Sequence, residues 1–296
     1  MSESSSPSEK YSCAQPVRVL AAWIQHGYNV CTSLAQIDEF EKLLASEDEE
    51  FCVVQSVQPA VIDRACVNGV FPMSIGGFGG RIGALKLHVD RCVLRLDQLR
   101  CSKSTRRQAK KFTLSTNTAY ELVVAGCIKQ HGRNWLMQPL VAAFCDMFRQ
   151  QRRDSELTPA PAVANADGSA PLPPPPSPSQ SKAGHQVRLH SIELWQDGKL
   201  VAGELGFSVG SIYTSQTGFY TVSGSGSVQL LALGLLLRKR GCTLWDFGMA
   251  MEYKMDLGAT MMPRAEWRQT IRAAAATGAV LLLDELDRTK PVDVSE

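Results

Sequence analysis

The strongest constraint on the fold is a regular alternation of strand and helix patterns over residues 190–264. Residues 191–194 alternate polar and apolar side chains, which is the period of a half-buried strand, and the Asp197-Gly198 pair supplies a tight turn before a second apolar run. The nearly continuous apolar side chains of residues 228–237 predict a helix that is buried on most sides, and residues 242–247 predict a short buried strand. The pattern therefore predicts one compact αβ unit.

Two other segments contain little that could form a core. Residues 1–15 are rich in serine and are predicted to be a disordered tail, and residues 152–184 are rich in proline and are predicted to be a disordered insertion. The glycine-rich segment 76–80 marks the predicted boundary between two domains. We expect a small amino-terminal domain over residues 16–80 and an αβ domain over residues 81–290, which contains the insertion.

Composition excludes several classes of protein. The nine cysteines show no C-x-x-C pair and no Cys/His finger spacing, so they predict reduced, mostly buried thiols rather than a disulfide framework or a zinc site. No apolar run reaches the roughly 18 residues of a membrane span, and the amino-terminal residues lack the apolar region of a secretory signal. We therefore expect a cytoplasmic protein that does not associate with membranes.

Positive charge is concentrated in one short segment, although the formal net charge of the chain is only +2. Such a cluster favours phosphate binding with strongly salt-dependent affinity. A solvated helix face is the alternative interpretation, because charge runs commonly have no other role. The cluster consists of seven basic residues that accompany Asp97: Arg95, Arg100, Lys103, Arg106, Arg107, Lys110 and Lys111.

A collinear series of motifs resembles a known enzyme family. The segments HSIELW-x-DGKLVAGELG, LWDFG and LGA-x-x-x-PR are similar, in order and spacing, to the carboxy-terminal domain of leucyl/phenylalanyl-tRNA–protein transferases. Upstream, Gly69-Val70-Phe71-Pro72, residues 113–117 and Asn134-Trp135-Leu136 resemble further motifs of the same family. The resemblance covers about residues 61–267 and is interrupted by the proline-rich segment.

The resemblance implies a fold and a reaction. The fold would be α/β (α+β), with an acetyltransferase-like (GNAT-like) domain beside a smaller amino-terminal domain. The enzyme would be an aminoacyltransferase that moves leucine or phenylalanine from aminoacyl-tRNA to the N-terminal arginine or lysine of an acceptor protein. The new terminus would then mark that protein for degradation by the N-end rule. The family requires no metal and no organic cofactor, and we expect a monomer.

The resemblance also assigns a catalytic carboxylate. Asp246 matches the family's carboxylate and is expected to orient or deprotonate the acceptor amine. A carboxylate within Leu-Trp-Asp-Phe is costly to bury alone, so pairing with an arginine or lysine is the alternative to a role in a site.

Further side chains are expected to bind the two substrates. Trp135 would stack on the terminal adenosine of the tRNA, although an aromatic residue before an apolar helix is also typical of a core. Gln216 would line the acceptor or aminoacyl pocket, and Glu204 would supply negative charge there if it faces the same pocket. The expected substrate-binding residues are Trp135, Gln216, Phe219 and Glu204, and the expected tRNA-binding residues are Arg91, Lys103, Arg106 and Arg107.

Three departures from the family pattern leave other functions open. Gly248 stands in place of a glutamine and Gln216 in place of a glutamate, and the segment at residues 85–91 lacks a pair of tryptophans. A protein that binds tRNA or N-terminal degradation signals without transfer would explain the first two changes. An acyltransferase that uses another donor on the same scaffold is the other alternative.

Overall fold

The computed structural model describes residues 15–78, 80–133, 135–157 and 186–281, together with Leu283 and Val292. Over these residues the protein is a mixed α/β structure, which confirms the predicted α+β class. Residues 1–14 of the predicted tail and residues 158–184 of the predicted insertion lie outside the described residues.

The strands form a small sheet and a large sheet. The small sheet contains β1 (Val30–Cys31), β2 (Phe51–Val54), β3 (Phe71–Gly77) and β4 (Gly80–Lys86). The large sheet contains β5 (Asp90–Arg95), β6 (Thr113–Thr116), β7 (Val187–Gln196), β8 (Lys199–Val209), β9 (Ile212–Tyr220), β10 (Leu244–Gly248) and β11 (Thr260–Pro263). The strand orders are β1-β2-β4-β3 and β11-β5-β10-β9-β8-β7-β6.

The helices cover both faces of the large sheet and both faces of the small sheet. They are α1 (Gln15–Gln25), α2 (Leu34–Asp38), α3 (Pro59–Val67), α4 (Lys103–Ala109), α5 (Tyr120–His131), α6 (Leu140–Leu157), α7 (Ser225–Lys239), α8 (Glu252–Asp256) and α9 (Arg264–Ala276). Within the described ranges, none of them combines the length and the apolar character that crossing a membrane requires.

The β7–β8 hairpin lies between β9 and the edge strand β6 of the large sheet, and its register runs from Val187 opposite Val209 to Gln196 opposite Lys199. Its turn is the Asp197-Gly198 pair, with φ angles of 49° and 72°. Two consecutive residues with positive φ match the twist of the flanking strands, which is why asparagine, aspartate and glycine are preferred in such turns. The turn predicted from the sequence is confirmed.

Two hydrophobic clusters hold the helices to the large sheet. On one face, α7 packs its Leu233 against strand residues such as Trp245. On the other face, α5, α6 and α9 pack around Phe144 and Phe207. This second cluster also contains residues of the small sheet, including Leu85, so the two sheets share one core.

The glycine-rich segment at residues 76–80 does not separate the two sheets. It connects β3 to β4 within the small sheet, with Gly77 opposite Gly80, and the chain passes to the large sheet between Lys86 and Asp90. The glycines have a packing role, because a Cβ atom at Gly77 or Gly80 would collide with Trp23 or Val19 of α1.

The start of the predicted insertion is also corrected. Helix α6 continues to Leu157, so residues 152–157 are helical. Gln151 attaches this part of the helix to β7, because its side chain donates to the Val187 carbonyl at 2.8 Å and accepts from the Leu189 amide at 3.0 Å.

A row of three arginines on α9 attaches this helix to the amino-terminal region. Arg264, Arg268 and Arg272 are four residues apart, so their side chains emerge on the same face of the helix. Arg268 and Arg272 donate to backbone carbonyls of residues 37 and 38, and Arg268 also pairs with Glu41. Arg264 donates to four carbonyls, those of Glu47 at 3.0 Å, Glu49 at 2.7 Å, Leu87 at 3.0 Å and His88 at 3.2 Å.

We expect Arg264→Ala to lower the free energy of unfolding by about 2–3 kcal/mol, because charged hydrogen bonds to several half-buried carbonyls are lost together. Arg149→Ala is the matched control, since Arg149 makes only exposed ion pairs with Glu121 and Asp146 and should cost less than about 1 kcal/mol. Urea unfolding of both variants measures the difference. Equal losses would contradict the assigned role of Arg264.

Candidate active site

The central strands of the large sheet separate at one end. β9 and β10 run parallel and are paired from Ile212 opposite Leu244 to Thr214 opposite Asp246. β9 then continues to Tyr220, six residues beyond Thr214, which is its last residue paired with β10. An opening at the carboxyl ends of neighbouring parallel strands is a common position for a ligand site in αβ proteins.

Asp246 lies at this opening in a fully buried ion pair. Its Oδ1 accepts from Nε of Arg91 at 3.1 Å, and its Oδ2 accepts from Nη2 of the same guanidinium. The Arg91 side chain is 2% exposed and lies over the Trp267 ring, 5.1 Å from its centroid. The sequence left two interpretations of Asp246, a role in a site or pairing with a basic residue. In the structure Asp246 is paired with an arginine.

The position of Arg91 corrects one prediction. Because Arg91 is buried against Asp246 and Trp267, it does not lie at the surface where a tRNA phosphate would contact it. Its Nη1 atom is also buried and has no hydrogen-bond partner among the residues that the structure describes. A buried unpartnered donor is costly, so this atom is a candidate for contact with a bound molecule.

Gly248 completes the surroundings of the carboxylate. Its N–H donates to Oδ1 of Asp246 at 2.8 Å, and its φ angle is 73°. Residues with side chains rarely adopt this conformation, so the glycine permits a turn that a glutamine would strain. Glycine at this position therefore allows the positive φ at which its N–H is directed at Asp246.

Gln216 lies at an irregularity in β9. Ser215 is opposite Gly206 and Thr217 is opposite Leu205, so Gln216 is an extra residue on this strand, a β-bulge. Within the described part of the chain, both polar atoms of its amide are buried without a hydrogen-bond partner, as is Oγ1 of Thr214. Bulges often redirect side chains beside active sites, and these unpartnered groups lie on the strand next to Asp246.

Glu204 does not share the Asp246 pocket. Trp245 and Phe247 pack on the α7 side of the sheet, so Asp246 points to the opposite side. Glu204 instead accepts from Gln229 of α7 at 3.2 Å and from Ser215, whose Oγ accepts from Nε1 of Trp245 at 2.8 Å. Burial raises the pKa of Glu204 to about 7, although the bonds from Ser215 and Gln229 act in the opposite direction.

The two predicted aromatic contacts have different surroundings. Trp135 is half-buried, with its ring 5.0 Å from that of Phe71 and its carbonyl accepting from the Ser74 amide at 2.9 Å. Phe219 is buried in the core against Gly126 and α5. Phe219 therefore supports the sheet from within, and the prediction that it contacts substrate is not supported by its position.

The predicted tRNA-binding residues other than Arg91 lie on α4. Ser102 begins this helix by accepting from the Thr105 amide at 3.1 Å, and α4 packs against α7. Lys103 and Arg107 are exposed, whereas Arg106 is half-buried. These side chains therefore belong to the α7 side of the large sheet, opposite the side that Asp246 faces.

Lys254 is a site residue that the sequence analysis missed. It is buried, and its Nζ donates to the carbonyls of Phe247 at 2.9 Å and Met249 at 2.8 Å, so it fixes the chain that leaves β10. Its burial lowers the pKa of the ammonium group. The only signal in the sequence is a single lysine among four methionines and a tyrosine at residues 249–255 and 261. No cluster suited to a metal ion occurs among the described side chains.

A family model and similar sequences from bacteria agree on one family. A family model described as leucyl/phenylalanyl-tRNA protein transferase matches residues 93–156 and 181–272, more than half of the chain. The leucyl/phenylalanyl-tRNA–protein transferase of Gloeobacter violaceus is 26% identical over 223 residues, which cover 75% of this chain and 95% of the relative. That of Chlorobaculum parvum is 26% identical over 221 residues, which cover 72% and 93%.

Similar solved structures are more distant. The carboxy-terminal domain of a putative lysylphosphatidylglycerol synthetase from Agrobacterium fabrum has a TM-score of 0.37 at 12% identity, covering 76% of this chain and 71% of that one. A tandem GNAT protein from the clavulanic acid biosynthesis pathway has a TM-score of 0.32 at 11% identity, covering 78% and 68%. The α+β class therefore rests on the described strands and helices themselves.

We expect the pH dependence of stability to reveal the Glu204 carboxyl. Its pKa rises from 4.5 to about 7 on folding, so the folded protein keeps a proton that the unfolded chain has lost, and stability falls as the pH rises through this window. As the pH rises between these two values, the free energy of unfolding of Glu204→Gln should therefore increase relative to that of the wild type by on the order of 3 kcal/mol. Urea unfolding across this pH range measures the gain. Glu266→Gln, at an exposed position, is the matched control, and a difference that stays constant with pH would contradict the assignment.

Proposed function

Because the chain belongs to the leucyl/phenylalanyl-tRNA–protein transferase family, we propose that it transfers leucine or phenylalanine from aminoacyl-tRNA to the N-terminus of an acceptor protein. The acceptor begins with arginine or lysine, and the added residue marks it for degradation by the N-end rule. The protein acts as a cytoplasmic monomer. The single observation that carries the proposal is the family match, because it includes the β9–β10 opening and Asp246.

The reaction is aminolysis of an ester. The amine nitrogen of the acceptor forms a bond to the carbonyl carbon of the aminoacyl group, and the bond from that carbon to the ribose oxygen of the tRNA breaks. The oxygen leaves as a hydroxyl after it receives a proton, and the ammonium formed at the new amide loses one. The chain must therefore hold the amine beside the ester and stabilise the charge that develops on the carbonyl oxygen.

A strong base is not required for this step. The α-amine of a protein has a pKa of about 7.7–8.0, so roughly a tenth of it is neutral at pH 7. The ester is already activated by its attachment to tRNA. This is why transfer can proceed although Gly248 stands where the family has a glutamine.

In this proposal Asp246 acts through position. Both of its oxygens accept hydrogen bonds from Arg91 or Gly248, so the carboxylate holds the guanidinium at the opening between β9 and β10. The unpartnered Nη1 of Arg91 then donates to the carbonyl oxygen of the ester, and the unpartnered amide of Gln216 binds the acceptor amine or the aminoacyl group. Glu204 acts from the other face as support for Ser215, the residue before the bulge.

The tRNA is held by charge and by stacking. Lys103 and Arg107 on α4 provide exposed positive charge for phosphates, and Arg106 is the half-buried residue between them. Trp135 is the aromatic platform for the terminal adenosine, and one such contact contributes about 1–3 kcal/mol.

The first test is transfer of labelled leucine or phenylalanine from charged tRNA to a peptide that begins with arginine. We expect the wild-type protein to transfer the label, and Asp246→Asn to lower kcat/KM by about 100-fold, because Arg91 loses the partner that positions it. The same peptide with an acetylated N-terminus is the substrate control. Salt-sensitive tRNA binding without transfer would favour a non-catalytic binding protein, and the absence of both would favour another acyl donor.

A second variant separates function from folding. Replacing one partner of a buried ion pair leaves the other charge buried alone, whereas replacing both with apolar residues is often neutral. We therefore use Arg91→Met with Asp246→Leu. A folded but inactive double variant supports the role of the pair, and a folded, fully active one would exclude it.

The salt dependence of tRNA binding tests the basic surface on α4. Lys103→Ala and Arg107→Ala should each reduce the slope of log affinity against log salt concentration by about 1, because each removes one phosphate contact. Lys129→Ala and Arg153→Ala are matched controls, since these exposed residues lie on α5 and α6, on the opposite side of the large sheet. Fluorescence anisotropy of labelled tRNA at several salt concentrations measures the slopes. If the α5 and α6 variants reduced the slope and the α4 variants did not, the tRNA would lie on the α5 and α6 side of the large sheet.

A further inference from the structure

An apolar surface follows the candidate active site directly along the chain. Strand β10 carries Asp246, and the residues that leave it form a loop and the short helix α8. Five large apolar side chains here are between 39% and 58% exposed. We call these side chains the methionine surface: Met249, Met251, Tyr253, Met255 and Met261.

The methionine surface is held in a fixed shape. Lys254 bonds to two carbonyls of the loop, and its Nζ lies 5.7 Å from the ring centroid of Tyr253. Sδ of Met255 is 4.0 Å from Sγ of Cys92 on β5. Met261 on β11 is the strand partner of the same cysteine. The exposed side chains therefore stand on a loop that is already ordered, so a partner would bind without the cost of folding it.

Two exposed carboxylates accompany the methionine surface on α8. Glu252 and Asp256 are exposed at the two ends of α8, between and beside the apolar side chains. Exposed carboxylates beside an apolar surface complement a partner that carries both positive charge and apolar side chains. Methionine side chains are flexible and polarizable, so such a surface accepts apolar partners of differing shape.

We propose that the methionine surface docks the segment of the acceptor protein that follows its N-terminal residue, and that it prefers acceptors with apolar side chains in this segment. The inference rests on the proposed function. Continuity supports this occupant, because the surface begins three residues after Asp246. A chain whose terminal amine reaches the opening between β9 and β10 would continue over this loop, with its basic terminal residue near the carboxylates of α8.

The test compares two fluorescent peptides that share an N-terminal arginine. One continues with leucine and phenylalanine, and the other with glycine and serine at the same positions. Binding to the full chain is measured by anisotropy, without tRNA, and transfer of labelled leucine is measured separately. We expect the apolar peptide to bind about tenfold more tightly and to show a correspondingly lower KM, with kcat unchanged.

Two triple variants locate the binding. Met249→Ser, Met251→Ser and Tyr253→Ser should together remove the difference between the peptides and leave kcat for the glycine-serine peptide unchanged. The matched control replaces three exposed apolar side chains elsewhere, Ile24→Ser, Leu34→Ser and Leu122→Ser, and should keep the difference. Circular dichroism establishes that both variants are folded.

The possible outcomes are distinct. Equal binding of the two peptides by the wild-type protein would overturn the proposal and needs no variant. A difference in binding without any transfer would refute the proposed enzymatic function but support the docking surface. If instead the triple variant abolishes concentration-dependent self-association or binding to anionic vesicles, and the peptides do not differ, the surface contacts a second copy or a lipid surface and the proposal is wrong.

Discussion

The structure depends on the buried ion pair between Arg91 and Asp246. Two buried charges are tolerated only when they are paired and hydrogen-bonded. Here the carboxylate accepts from the Arg91 guanidinium and from the Gly248 N–H, and the guanidinium lies over the Trp267 ring. The pair joins β5 to β10, and β5 also carries the edge strand β11, so one interaction fixes the strands on one side of the opening. Whatever binds there meets a guanidinium whose orientation is set before the ligand arrives.

The departures from the family pattern have different physical meanings. At Gly248 the side chain is absent and φ is positive, so this position directs a backbone N–H at Asp246 in a conformation that residues with side chains rarely adopt. At Gln216 a charge is lost and a neutral amide remains, buried and without a partner on a β-bulge. The first position holds the carboxylate in a fixed geometry, and the second presents a neutral amide to whatever binds beside it.

Sequence patterns predict the local elements of this chain well and its long-range pairs poorly. The β7–β8 turn follows from Asp197-Gly198, and the apolar run after residue 227 becomes α7, because both depend on neighbouring residues. The partner of Asp246 is 155 residues away, and a basic residue near a predicted phosphate-binding cluster gives no sign that it is buried. The role of Glu204 was similarly ambiguous in the sequence. Strand alternation assigns side chains to two faces of the sheet but does not tell which face carries the site.

The arginine row on α9 has a consequence for how this protein can change over time. Most of its acceptors in the amino-terminal region are main-chain carbonyls, which every residue type provides. A substitution at an exposed position such as Glu47 therefore alters the side chain without removing the carbonyl to which Arg264 binds. Exposed positions of the amino-terminal part can thus change while these bonds remain, whereas a mutation of an arginine on α9 releases several contacts at once.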